Sequence, residues 1–106
     1  MMPKDGRSTE NEIALTILAI AADQASEIAT FHRIRKELPD RMALTDGDKK
    51  KSTTLHRERL WEQLIRNIKS HHKVPGNYIF EGFLEHVPKS GYRITDKGRK
   101  HLKAYT

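Results

Sequence analysis

The side chains with the most chemistry to offer are two carboxylates and a run of lysines in the middle of the chain. Pro39-Asp40 followed by Asp48-Lys49-Lys50 supplies the residue types that hold Mg²⁺ and activate water for phosphodiester cleavage. That chemistry needs the groups on adjacent strands, and residues 39–51 carry no alternating apolar pattern. No nuclease centre is therefore expected. Six histidines raise a metal site as a second option. His71 and His72 are adjacent, and neither a His-x-x-x-His pair nor a His-Glu-x-x-His helix occurs, so a surface pair near a helix end is the expectation. No cysteine means no disulfide, no thiolate nucleophile and no cysteine-based zinc site. Gly-x-Ser-x-Gly and phosphate-cradling glycine loops are also absent, so the chain is expected to be no enzyme and to carry no cofactor.

What remains is charge. Twenty Lys and Arg against fourteen Asp and Glu give a net +6, a field that attracts polyanions. Nucleic acid is the first candidate partner. At 106 residues the chain supports one domain with a single core, and 36% hydrophobic with 32% charged residues fits a globular domain with a strongly charged surface. Lys4 and Arg7 before the apolar run Ile13 to Ala22, with Ala19-Ile20-Ala21, superficially copy a secretion signal. Glu10 and Glu12 stand where such a signal prefers positive charge, and the run falls far short of the ~20 residues that span a bilayer. A cytoplasmic protein with no membrane partner is the expectation.

The elements that must position these charges follow from periodicity and caps. Residues 1–10 lack apolar periodicity and read as a flexible tail ahead of one domain over 11–106. Ile13, Leu15, Ile17, Leu18 and Ile20, interleaved with alanines, predict a helix apolar on more than one face. Ser26 to Ala29 reads as an extended connector or short strand, and Thr30 as the N-cap of a helix carrying Phe31, Ile34 and Leu38, closed by Pro39. Thr45 and Asp48 form a capping-box pattern in an otherwise irregular stretch. Leu60, Trp61, Leu64, Ile65 and Ile68 stripe a long helix over 53–70, capped by Ser52, Thr53 or Thr54. Its other side, with His56, Arg59, Glu62, Gln63, Arg66 and Lys69, is mainly basic. Asn77 to Phe80 is open between a helical turn and an extended piece. Phe83 to Val87 and Tyr92 to Thr95 alternate as strands joined by Pro88-Lys89-Ser90-Gly91, and Thr95 caps a last helix.

This order of helix, short strand, helix, helix, hairpin and helix resembles the winged helix-turn-helix fold, an α+β, mainly α architecture. Glu81-Gly82-Phe83-Leu84-Glu85 and Tyr92-Arg93-Ile94-Thr95-Asp96-Lys97-Gly98-Arg99-Lys100-His101-Leu102 carry the likeness. Within that superfamily the chain is most similar to the N-terminal domain of Mrr-type restriction endonucleases, which share a tryptophan placed like Trp61 and an Arg-Ile-Thr-x-x-Gly-type run. The catalytic domain of that family is a separate unit. The resemblance implies a double-stranded DNA partner and a role in transcription regulation or DNA targeting. It makes Thr53, Thr54, His56, Arg57, Arg59 and Gln63 the groove-facing set, joined by Arg66, and Lys89, Ser90 and Arg93 the wing set. Arg suits guanine, Gln suits adenine, and Lys49, Lys50 and Lys51 suit phosphate. A protein partner docking on the same scaffold is the alternative, and a homodimer stays open. The stretch His71 to Asn77 is longer than the usual link to the hairpin.

Overall fold

The computed structural model describes residues 8–50 and 58–105. Its elements run α1 (Glu10–Ala22), β1 (Ile28–Thr30), α2 (Phe31–Arg41), α3 (Leu60–Ser70), β2 (Leu84–Val87), β3 (Gly91–Ile94) and α4 (Asp96–Lys103). The chain is thus α+β and mainly helical, with one small antiparallel sheet ordered β1-β3-β2.

Helix α1 starts where a capping box places it. Thr9 Oγ1 accepts from the Glu12 N–H at 3.1 Å, and Glu12 Oε1 accepts from the Thr9 N–H at 2.8 Å. Ser8 is buried as well, so residues 8–10, read from sequence as tail, are built into the fold. Ile13, Ala14, Ile17, Leu18, Ile20 and Ala21 are all fully buried, as expected of a helix that packs on several sides. It touches α2, α3, α4 and β3.

Thr30 caps α2 by accepting from the Arg33 N–H at 3.2 Å, and Ile34 and Leu38 face the core. Pro39 does not close this helix, which continues to Arg41. A proline so near the C-terminus removes a single helical N–H, and the next turn is restored by the Met42 N–H donating to the Leu38 carbonyl at 3.1 Å. Arg41 reinforces that end, reaching Glu37 at 3.2 Å and Asp23 at 2.5 Å from the favourable pole of the helix dipole.

Each strand of the sheet is short, and the register matters more than the length. Tyr92 stands between Ala29 and His86, and Gly91 between Thr30 and Val87. Tyr92 and Ile94 point into the core, while Arg93 faces outward. A Cβ on Gly91 would lie 2.0 Å from the Ala29 carbonyl oxygen, so only glycine lets β1 close on the hairpin. Thr95 then caps α4 by accepting from the Gly98 N–H at 2.9 Å, and Gly98 itself packs against the Phe83 backbone. From Asn77 to Phe83 the chain makes turns, organised by the buried Asn77 side chain: its Oδ1 accepts from the N–H groups of Ile79 and Phe80.

Gly91→Ala should cost about 3 kcal/mol in urea unfolding, because the clash falls on backbone. Gly76→Ala, at φ 92 with open space around the missing Cβ, should cost only about 1 kcal/mol. Equal losses would contradict the register.

Candidate nucleic-acid interface

The start of α3 is set by a buried carboxylate. Asp48 is fully buried, and its oxygens accept from the Ser8 N–H at 2.5 Å, the Ser8 hydroxyl at 2.7 Å and the Thr45 N–H at 3.0 Å. Thr45 Oγ1 accepts in return from the Asp48 N–H at 3.1 Å, so the capping box expected from sequence is present. The Asp48 carbonyl accepts from the Trp61 N–H at 3.1 Å, and the Lys50 carbonyl from the Leu60 N–H at 2.8 Å. One residue therefore joins the N-terminal segment, the turn over 45–49 and α3. Burial alone would raise the carboxyl's pKa, but the hydrogen bonds from Ser8 and Thr45 outweigh it and hold the group below the usual carboxylate value. These three hydrogen bonds engage both Asp48 oxygens, and Asp40 is exposed on α2.

Lys49 and Lys50 are exposed beside this start. Arg59 is not on the helical face expected for it. Its backbone is extended, at φ −84 and ψ 161, and it stands as the N-cap residue, because Glu62 Oε1 accepts from its N–H at 2.9 Å. Its guanidinium donates to the Lys49 carbonyl at 3.2 Å. The helix is accordingly Leu60–Ser70 and not 53–70; Glu58 and Arg59 are non-helical. Lys51, Thr53, Thr54, His56 and Arg57 lie outside the described residues.

Along α3, Trp61, Leu64, Ile65 and Ile68 are buried as the stripe required. On the opposite side two of the charges are paired. Arg66 bonds Glu58 through Nη2 at 2.8 Å and Nε at 3.4 Å, which raises its pKa. Glu62 also meets Arg35 of α2 at 3.4 Å. Gln63 is half-buried on this helix, and Lys69 is exposed in its last turn.

The hairpin is tied to both neighbouring helices. Tyr92 is fully buried and its hydroxyl donates to the Ile65 carbonyl of α3 at 2.6 Å. The Ser90 N–H donates to the Val87 carbonyl across the turn at 3.0 Å, and the Ser90 carbonyl accepts from the Phe31 N–H that begins α2. Lys89 sits at the tip, exposed and in the left-handed region at φ 64, as the third residue of a turn with Pro88 second. Arg93 is brought elsewhere: it lies on the outer face of β3, 3.9 Å from Glu85. Burial and then Lys69 push the His86 pKa down, placing this histidine close to the end of α3. The sequence carried no signal for the Ser8 to Asp48 contact, for His86 beside Lys69, or for Arg35 reaching Glu62, since all are long-range.

Among the described residues no helix is long and apolar enough to cross a membrane. Asp48 contributes stability that is fully present above its unfolded pKa of about 4 and is lost as pH falls through its lower folded value. Asp48→Asn should therefore lose about 2 kcal/mol at pH 7, with the gap to the parent chain closing toward pH 2 in chemical denaturation. An unchanged gap would contradict an ionised Asp48. No family model, curated protein or solved structure matches the chain.

Proposed function

We propose that the chain is a winged-helix domain that binds double-stranded DNA, with α3 against the major groove and the 88–90 loop against phosphate. Its role is transcription regulation or DNA targeting in the cytoplasm, by binding and not by catalysis. The observation that carries this reading is topological. In the order α1, β1, α2, α3, β2, β3, the first strand returns to β3, and the Tyr92 hydroxyl and the Ser90 carbonyl hold the hairpin against α3 and α2. A helix face and a projecting loop so become neighbours.

The charges favour phosphate contact over base reading. Lys49 and Lys50 flank one end of α3, Lys69 lies at the other, and Lys89 tops the loop. None of the four has a carboxylate partner among the described residues. Arg66, by contrast, is held by Glu58, which keeps its guanidinium from easy use at a base edge. The remaining groove set, Thr53, Thr54, His56 and Arg57, rests on the resemblance to Mrr-type domains. A protein-docking module is the second reading. It is favoured by the exposure of Val74, Phe80 and Tyr105 at 53%, 51% and 62%.

Fluorescence anisotropy with a short duplex discriminates the two. Affinity should fall linearly in log K against log salt. Replacing Lys49 and Lys50 by Ala should lower that slope by about 2, whereas replacing Lys97 and Lys100 of α4 should leave it unchanged. Absence of binding at low salt would overturn the DNA reading, and equal slope changes from both pairs would reduce it to unspecific charge.

A further inference from the structure

A groove of about 260 Å³ opens between α2, α3 and the hairpin. Its wall is aromatic. The Phe31 ring meets Tyr92 edge-on at 5.6 Å, and His86 stands 5.8 Å from Tyr92 and 6.5 Å from Phe31. Ile65 completes the apolar lining, and the fully buried Tyr92 forms the floor. Three cations stand on the rim, Arg35 from α2 with Arg66 and Lys69 from α3, against one lining carboxylate, Glu62.

The two arginines are already engaged. Arg35 pairs with Glu62 at 3.4 Å and Arg66 with Glu58 at 2.8 Å, which leaves Lys69 as the rim cation with no carboxylate partner among the described residues. An aromatic corner by itself would suit a cation, but the uncompensated ammonium of Lys69 on the rim repels one. His86 adds no further charge at neutral pH, because burial and then Lys69 hold its pKa down. It acts as a third ring. A cavity of about 150 Å³ accepts benzene, so this groove has room for a fused bicyclic ring.

We propose that the groove binds a small planar aromatic acid, with its ring against Phe31, Ile65 and His86 and its carboxylate on Lys69. Apolar burial of the ring supplies most of the affinity, and the charge-assisted contact to Lys69 supplies the choice of an acid over its neutral analogue. The groove shares Lys69 with the proposed DNA-facing side of α3 but does not rest on that reading, and it is tested without DNA. A chemical-shift titration of the full chain with 2-naphthoate should give saturable shifts at Ile65, Lys69 and His86. The neutral 2-naphthamide should bind about tenfold more weakly, and Lys69→Ala should weaken naphthoate by a similar factor while leaving naphthamide unchanged. Shifts without saturation, shifts centred on Val74, Phe80 and Tyr105, or equal affinity for acid and amide would overturn the proposal.

Discussion

The contact on which the rest of the arrangement depends is the hydrogen bond from the Tyr92 hydroxyl to the Ile65 carbonyl. Tyr92 is fully buried on β3, and burial pushes its phenol up to about 12, so it stays a neutral donor across the physiological range. Its donor ends at α3, its ring edge rests on Phe31 of α2, and its backbone lies in register between β1 and β2. A three-stranded sheet this short has little cooperativity of its own. It is the tyrosine, packed on all sides, that fixes where the hairpin stands relative to α3. The second anchor, Asp48, fixes where α3 begins. Between them the two buried polar groups define both ends of the candidate interface.

The same geometry changes the electrostatic picture. A net +6 suggests a uniformly basic face, yet the arginines are largely consumed internally: Arg33 and Arg41 by Glu37, Arg35 by Glu62, Arg66 by Glu58 and Arg99 by Glu27. Surface pairs of this kind contribute little to stability, about 0.5 kcal/mol each, but they remove the arginine fork from easy use elsewhere. Among the described residues the exposed cations around α3 and the loop that no carboxylate pairs are Arg59, on the Lys49 carbonyl, and Lys49, Lys50, Lys69 and Lys89, hydrated point charges suited to phosphate and poor at reading bases. Binding dominated by such contacts is sensitive to salt and tolerant of sequence.

Much of the fold was legible because the relevant signals are local. Thr30, Thr95 and the Thr45 to Asp48 box cap where the residue types said they would, and the α3 stripe and the hairpin follow from spacing alone. The failures share a cause. Thr9-x-x-Glu12 is the same kind of box, but its cap residue lies in a stretch without apolar periodicity, where no helix start shows in the spacing. Three hydroxyl residues, Ser52, Thr53 and Thr54, were better cap candidates than Arg59, yet contacts from Lys50 and Asp48 to Leu60 and Trp61 set the helix start further along. Pro39 stops a helix only if the turn beyond it lacks other support, and Arg41 supplies that support. The pairing on α3 is not legible from its own residues, because the counter-charge to Arg66 comes from Glu58 ahead of the helix and the partner of Glu62 is Arg35 on α2.

The central claim is that α3 and the hairpin loop act as one surface toward a duplex. Amide chemical shifts of the described residues, followed while a short mixed-sequence duplex is added at low salt, test it most directly. Residues 59–69 and 87–91 should shift together with one apparent affinity, while α4 and residues 71–83 stay still. Shifts confined to α4 or to 71–83, or two separate affinities for helix and loop, would contradict it.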